Sequence, residues 1–153
     1  MPYFEFDYWP FDDKGNDDKI WELTQFPKAW AEHPEGEPNI FPYYNNDKLN
    51  WYQVEIEEEN TILAFQKGWD IIARIIDLSS GENYYRITYF WSNSDGDIEI
   101  DWSIYSLEQI DSNIKLNYVY PIDTNEYYVI VKDANPKAAF EQAVILIENI
   151  NKK

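Results

Sequence analysis

The chain has 153 residues, no cysteine and a single histidine, His33. The absence of thiols excludes disulfides and thiolate catalysis, and one histidine is too few for a histidine-rich zinc site. With 29 acidic and 12 basic residues the formal charge is −17, which repels nucleic acid and anionic membranes and attracts basic partners.

The length and the hydrophobic content of 44% suit one globular domain over residues 1–153. No apolar run is long enough to span a bilayer, and the acidic first residues lack the basic region of a signal peptide. We therefore expect a cytoplasmic protein. Residues 1–60 hold 15 acidic and 4 basic residues, so a charged docking face is expected there.

Residues 3–9, YFEFDYW, predict the first strand. Aromatic residues at positions 4, 6 and 8 alternate with Glu5 and Asp7, and this period of two is typical of a strand with one buried face. After a turn over residues 11–18, Asp17 or Asp18 can cap a short helix that carries the apolar residues of IWEL (20–23).

Residues 27–44 contain four of the eight prolines, a density that excludes a helix or a central strand. The sequence therefore predicts a Pro-rich loop. Two interpretations stay open: a functional loop, or an inert connector held in place by Trp30, Phe41 and Tyr43.

A strand and a helix are predicted in the middle of the chain. Residues 51–57, WYQVEIE, alternate again, with Glu55 and Glu57 on the outward face. Asn60 is suited to cap a helix over about 61–77, in which apolar residues at 65, 69, 72 and 76 recur on one face. Gly68 lowers the helix propensity by about 1 kcal/mol relative to Ala.

Four strands are predicted next, over 84–92, 97–105, 113–121 and 127–132. If Asp95 and Gly96 form a two-residue hairpin loop, apolar residues face one another across the first two strands, Tyr89 opposite Trp102 among them. A four-residue loop from Asp123 to Glu126 would set Tyr120 opposite Val129. Asn135 and Pro136 then begin a C-terminal helix.

Together these elements predict an α+β fold. We expect an antiparallel sheet with a four-stranded C-terminal meander over about 84–132. A central helix over about 61–77 and a C-terminal helix over about 136–150 would pack on one face of it.

The acidic stretch 91–102, WSNSDGDIEIDW, does not match a calcium-binding loop. With Asn93 at the first position, Ile98 stands where the sharp turn requires glycine and Ile104 where the bidentate acid is required. Carboxylates recur in pairs two residues apart in three predicted strands, on the face opposite the apolar residues. The pairs are Glu5 and Asp7, Glu55 and Glu57, and Glu99 and Asp101. Such rows either imitate a nucleic-acid backbone or lie on the solvated side of the sheet.

In size and composition the chain is similar to bacterial immunity proteins and phage counter-defence proteins. The resemblance implies a small acidic inhibitor that neutralises a basic partner, a toxin nuclease or a defence effector, with nucleic-acid mimicry as one mechanism. The net negative charge argues against binding to nucleic acid or membrane. The candidate partner-binding residues are acids that would engage lysine and arginine and aromatic anchors: Asp12, Asp13, Asp17, Asp18, Trp30, Tyr43, Tyr44, Glu55, Glu57, Glu58, Glu59, Glu99 and Asp101.

Two alternatives remain. Aromatic residues beside carboxylates suit a carbohydrate-binding module or a glycoside hydrolase, with Asp95, Asp97, Glu99 and Asp101 as candidates. A non-catalytic protein-interaction adaptor is the other. Because the sequence shows no Gly-rich phosphate loop, nucleophile motif or metal-ligand spacing, we expect neither catalysis nor a cofactor or metal.

Overall fold

The computed structural model describes residues 2–10, 19–31, 40–45, 48–78, 84–94 and 97–151. These residues form strands and two helices, with a short 3-10 helix at Lys28–Trp30. The strands are β1 (Tyr3–Trp9), β2 (Ile20–Phe26), β3 (Ile40–Asn45), β4 (Lys48–Glu57), β5 (Tyr84–Ser94), β6 (Asp97–Leu107), β7 (Tyr120–Asp123) and β8 (Glu126–Lys132). The helices are α1 (Thr61–Ala73) and α2 (Pro136–Asn151).

The strands form one eight-stranded antiparallel sheet in the order β3-β4-β1-β2-β6-β5-β8-β7. Both helices pack on the same face, α1 against β1, β2 and β4, and α2 against β5, β6 and β8. The predicted α+β class and the two predicted helices are confirmed. Neither helix of the described part of the chain is long and apolar enough to cross a membrane.

The buried core lies between this face of the sheet and the helices. Asn60 caps α1, since its side chain accepts a hydrogen bond from the Leu63 amide at 2.9 Å. Gly68 in α1 contacts β1 so closely that an added Cβ would overlap the ring of Phe6. The glycine that weakens the helix locally is therefore required by the close approach of helix and strand.

The register predicted for the β5–β6 hairpin is confirmed over its whole described length. Tyr89 opposes Trp102, Trp91 opposes Ile100 and Phe90 opposes Asp101. Asp95 and Gly96 themselves lie outside the described residues, but Ser94 opposes Asp97 on either side of them.

The predicted meander is wrong in its strand order. β5 lies between β6 and β8, and β7 pairs only with β8 at the edge of the sheet. Residues 84–132 therefore form two hairpins joined through β5 and β8. The strand predicted over 113–121 is wrong over most of its length: β7 begins only at Tyr120, and Asn117 adopts a left-handed backbone conformation, with φ of 61°, that is not extended.

The predicted loop at 123–126 is also wrong by one register position. The turn contains only Thr124 and Asn125, and Tyr120 opposes Tyr128 instead of Val129. Asn125 fixes this turn because its carbonyl accepts from the Trp91 amide at 3.0 Å and its side-chain amide donates to the Trp91 carbonyl. The register shifts just after Pro121, which has no amide hydrogen to donate to the ladder.

The short helix predicted near residue 20 is wrong, because those residues form β2. In the middle of β2, Trp21 and Leu23 are buried while Glu22 and Thr24 lie on the other side, which is the alternation of a strand. The predicted caps, Asp17 and Asp18, lie outside the described residues. Part of the predicted Pro-rich loop has regular structure, since Lys28–Trp30 form the 3-10 helix and Ile40–Asn45 form edge strand β3, where Pro42 is tolerated. Residues 32–39 lie outside the described residues.

Candidate binding site: an acidic groove on the open face of the sheet

The two faces of the sheet differ in chemistry because every strand alternates. Residues such as Phe6, Leu23 and Val54 point toward the helices and are fully buried. Their neighbours along the strands point to the other side, which no described helix covers. We call this second side the open face.

The strand registers align the side chains of the open face into rows. One row crosses six strands, and the next crosses all eight. The first row is Glu55, Glu5, Thr24, Asp101, Phe90 and Glu126. The second row is Phe41, Gln53, Asp7, Glu22, Ser103, Thr88, Tyr128 and Tyr120. Since neighbouring strands are about 4.8 Å apart, carboxylates distant in sequence become neighbours.

The centre of the open face holds a groove of about 790 Å³. Six carboxyl groups line it, and Arg86 is the only cationic side chain in its described lining. The carboxyl groups belong to Glu5, Asp7, Glu22, Glu99, Asp101 and Glu126. None of them forms an ion pair with another described residue, and the Arg86 guanidinium instead lies 4.5 Å from the centre of the Tyr128 ring.

Asp7 is the most unusual of these acids. It is only 4% exposed, and its Oδ1 atom has no hydrogen-bond partner. Burial raises the pKa of Asp7 far above its usual range, and the carboxyl groups of Glu5, Glu22 and Asp101 raise this pKa further. A hydrogen bond between Asp7 and Glu5 requires a proton on one of the two, because carboxylates only accept.

Burial also raises the pKa values of the other acids at the centre of the groove. For Glu22 the next cause is the charge of Asp101, and for Glu99 it is likewise Asp101. The pKa of Asp101 is raised by burial, although the Thr24 hydroxyl donates to its Oδ1 at 2.6 Å and partly offsets that shift. The groove therefore gathers negative charge at a free-energy cost, which a bound cation would relieve.

A chain of hydrogen bonds connects the groove to an aromatic stack at the side of the open face. The Tyr43 hydroxyl donates a hydrogen bond to Oε1 of Gln53, and Nε2 of Gln53 donates to Oε1 of Glu5. Both donor–acceptor distances are 2.5 Å. The Tyr43 ring stacks on Trp51 with centres 4.1 Å apart, and Trp9 stacks on Trp51 at 5.2 Å. Trp51 on β4 therefore stacks with one ring from each neighbouring strand, Trp9 of β1 and Tyr43 of β3.

The structure brings only part of the predicted site together. Glu99 and Asp101 line the groove. Glu55 lies on the same face but is only 5% exposed, and it accepts a hydrogen bond from the Tyr3 hydroxyl at 3.0 Å. Burial and this bond raise the pKa of Tyr3 to about 12. Glu57 instead pairs with Lys28 at 3.3 Å at the rim of the sheet.

The remaining predicted residues lie away from the groove. Glu58 and Glu59 follow the end of β4, where Glu59 is exposed. Tyr44 is 66% exposed on edge strand β3, and Trp30 is 47% exposed in the 3-10 helix. The other four predicted acids, Asp12, Asp13, Asp17 and Asp18, lie outside the described residues, as does His33.

Sequence reasoning missed four of the six groove acids as members of a binding site: Glu5, Asp7, Glu22 and Glu126. Glu22 was assigned to a helix, although the alternation in IWELTQF (20–26) is the signal that identifies its strand and face. Asp7 was placed on the correct face, but its burial depends on its neighbours in other strands. Glu126 was placed in a turn, and only the strand order brings it beside the groove.

The fold and the groove define a class of protein: an α+β protein with two helices on one face of an antiparallel sheet and an acidic groove on the other. Comparison of the chain with protein-family models, with curated proteins and with solved structures finds no match.

Proposed function

We propose that the open face binds a basic protein and neutralises it by occupying the surface that this partner uses for nucleic acid. The partner class is a basic nuclease or nucleic-acid-binding effector, and the protein acts as a cytoplasmic inhibitor of the immunity or counter-defence type. The observation that carries the proposal is the set of six carboxyl groups in one groove, none of which forms an ion pair within the described part of the chain.

The arrangement of the acids supports this function. Carboxyl groups of the first row extend from β4 to β8, a distance of about 24 Å at the usual strand spacing. That width is enough to contact several lysine or arginine side chains at once. A formal charge of −17 would also accelerate encounter with a basic partner, and the association rate would fall as salt is added.

The aromatic stack gives the carbohydrate-binding alternative its one structural argument. Sugars bind exposed ring faces beside polar groups, and Trp9, Trp51 and Tyr43 lie next to the acidic face. However, Trp51 already stacks with both other rings, which compete with a sugar for its faces. The groove, which is lined by six acids, therefore favours a cationic ligand over a neutral one.

The test compares two variants with the same change in net charge. Glu99→Lys with Glu126→Lys reverses two half-buried acids in the groove. Glu141→Lys with Glu148→Lys reverses two exposed acids on α2, on the other side of the molecule. Each protein is immobilised and exposed to lysate of the native host, and captured proteins are identified by mass spectrometry at low and high salt.

We expect the native protein and the α2 variant to capture the same basic protein, which salt releases and whose nuclease or nucleic-acid-binding activity the native protein inhibits. The groove variant should lose both capture and inhibition. Capture by the groove variant at native strength, or failure of the α2 variant to the same extent, would contradict the proposal. A glycan array that shows specific sugar binding would favour the alternative.

A further inference from the structure

The unpartnered oxygen of Asp7 calls for a physical explanation. A buried polar atom without a partner costs about 1–3 kcal/mol in other proteins, so such atoms are rare. Two more occur among the described residues, the indole nitrogens of Trp21 and Trp102, but both lie in the core beneath the helices. Asp7 alone of the three lines the groove.

Resting on the function proposed above, we propose that the groove holds one arginine side chain of the partner, with its guanidinium group between the carboxyl groups of Asp7, Glu22 and Asp101. The guanidinium would supply the donor that Asp7 lacks. It would also neutralise carboxyl groups that now repel one another across β1, β2 and β6.

The positions of these three acids suit a planar ligand. Glu22 lies directly opposite Asp7, and directly opposite pairs have Cβ atoms about 5 Å apart. Asp101 lies one strand further and opposite Thr24, the neighbour of Glu22 on the same face. A guanidinium fork carries donors on both edges and can bind two carboxylates at once.

An organic cation suits this place better than a metal ion. Among the described residues no group of three or more acids or histidines has the geometry to hold a metal ion. Arginine is also favoured over lysine, because a guanidinium is more weakly hydrated than an ammonium group and keeps its charge when it is buried.

Binding of the guanidinium should release a proton. Burial and neighbouring acids raise the pKa of Asp7 in the unliganded protein, whereas an adjacent positive charge lowers it. The proton therefore leaves as the cation binds, and affinity rises with pH between these two pKa values. The charged groups that face Asp7 from its own and the other strands are Glu5 on β1, Glu55 on β4, Glu22 on β2, Glu99 and Asp101 on β6, Arg86 on β5 and Glu126 on β8.

The test uses the full-length protein and three small probes: N-acetyl-arginine amide, N-acetyl-lysine amide and the uncharged N-acetyl-citrulline amide. Titration calorimetry in two buffers of different ionisation enthalpy gives the affinity and the number of protons released. We expect the arginine probe to bind at least about tenfold more tightly than the other two. About one proton should be released per arginine probe bound at neutral pH.

Asp7→Asn is the decisive variant, since it keeps the shape of the side chain but cannot release a proton and become charged when the cation binds. It should lower the affinity for the arginine probe about tenfold and abolish most of the proton release. Glu141→Gln on α2 is the control and should bind like the native protein. Undiminished binding of the arginine probe to Asp7→Asn, binding without proton release, or equal affinity for the lysine probe would overturn the proposal.

The two proposals fail in different ways. If Asp7→Asn still captures and inhibits the partner as the native protein does, while Glu99→Lys with Glu126→Lys does not, the arginine site is wrong and the inhibitor function stands. If neither variant affects capture of the partner, the proposed function is wrong together with the arginine site.

Discussion

The two faces of this sheet belong to the same strands but make opposite contributions to the stability of the fold. On the helix-covered face, buried aromatic and aliphatic side chains lose contact with water and stabilise the fold. On the open face, carboxyl groups are partly buried beside one another, and this arrangement destabilises the fold. Period-two alternation along the strands gives one face that stabilises the fold and another that gathers the acids. Truncating a buried apolar side chain on the first face should therefore lower stability, whereas removing the buried acid at the centre of the second should raise it.

The largest effect is expected for Phe140→Ala on the helix-covered face. The Phe140 ring stacks on Phe65 at 4.1 Å and contacts Trp102 edge-on at 5.4 Å, so it connects both helices to the sheet. Its removal should lower the free energy of unfolding by about 3–5 kcal/mol, as measured by urea denaturation. Ile145→Ala, at an exposed position of the same helix, should cost less than about 0.5 kcal/mol. Equal costs would contradict the assignment of the core.

A smaller loss in the free energy of unfolding is expected for Gly68→Ala, at the contact between α1 and β1. At an exposed helical position this change stabilises by about 1 kcal/mol. Here the new methyl group must displace the Phe6 ring, so we expect a net loss of about 1–3 kcal/mol in urea denaturation. An increase in stability would show that helix and strand are further apart than described.

On the open face, Asp7→Asn should stabilise the protein. The pKa of Asp7 is raised in the folded state, so the folded protein retains a proton that the unfolded chain releases above about pH 4. Stability of the native protein therefore falls as pH rises from there toward the raised pKa. The free energy of unfolding of the variant should exceed that of the native protein by about 1–2 kcal/mol at neutral pH, and it should fall less as pH rises. Urea denaturation from about pH 5 to pH 9 measures both.

Glu141→Gln is the control for that measurement, because Glu141 is an exposed acid on α2. It should follow the pH profile of the native protein. A loss of stability in Asp7→Asn at neutral pH would mean that the Asp7 carboxylate is stabilised in the fold, contrary to its description here.

The smallest effect is expected for Glu57→Gln, at the rim of the open face. Its ion pair with Lys28 spans 3.3 Å, but both side chains are largely exposed and solvent screens their attraction. The change should lower the free energy of unfolding by less than about 0.5 kcal/mol in thermal or urea denaturation. A larger loss would show that the rim stabilises the open face, which would weaken the contrast between the two faces.

Local patterns in the sequence predicted most of the elements. Alternation predicted β1, β4 and both strands of the β5–β6 hairpin with its register, and Asn60 and Asn135 predicted where the helices begin. Two of the failures have local causes that the sequence patterns did not reveal. Asn117 interrupts a strand, and a two-residue turn at Asn125 replaces the predicted longer one. The acidic composition of the open face was equally visible in the pairs of carboxylates two residues apart.

The sequence by itself therefore determined which residues share a face, since side-chain direction along a strand depends only on neighbouring positions. Only the tertiary structure decided which strands are adjacent, because pairing joins residues far apart in the chain and is selected by the packing of the whole core. That choice placed β2 between β1 and β6 and brought Asp7, Glu22 and Asp101 together. The burial of Asp7, and with it the proposed arginine site, follows from those neighbours and could not be predicted from β1 alone.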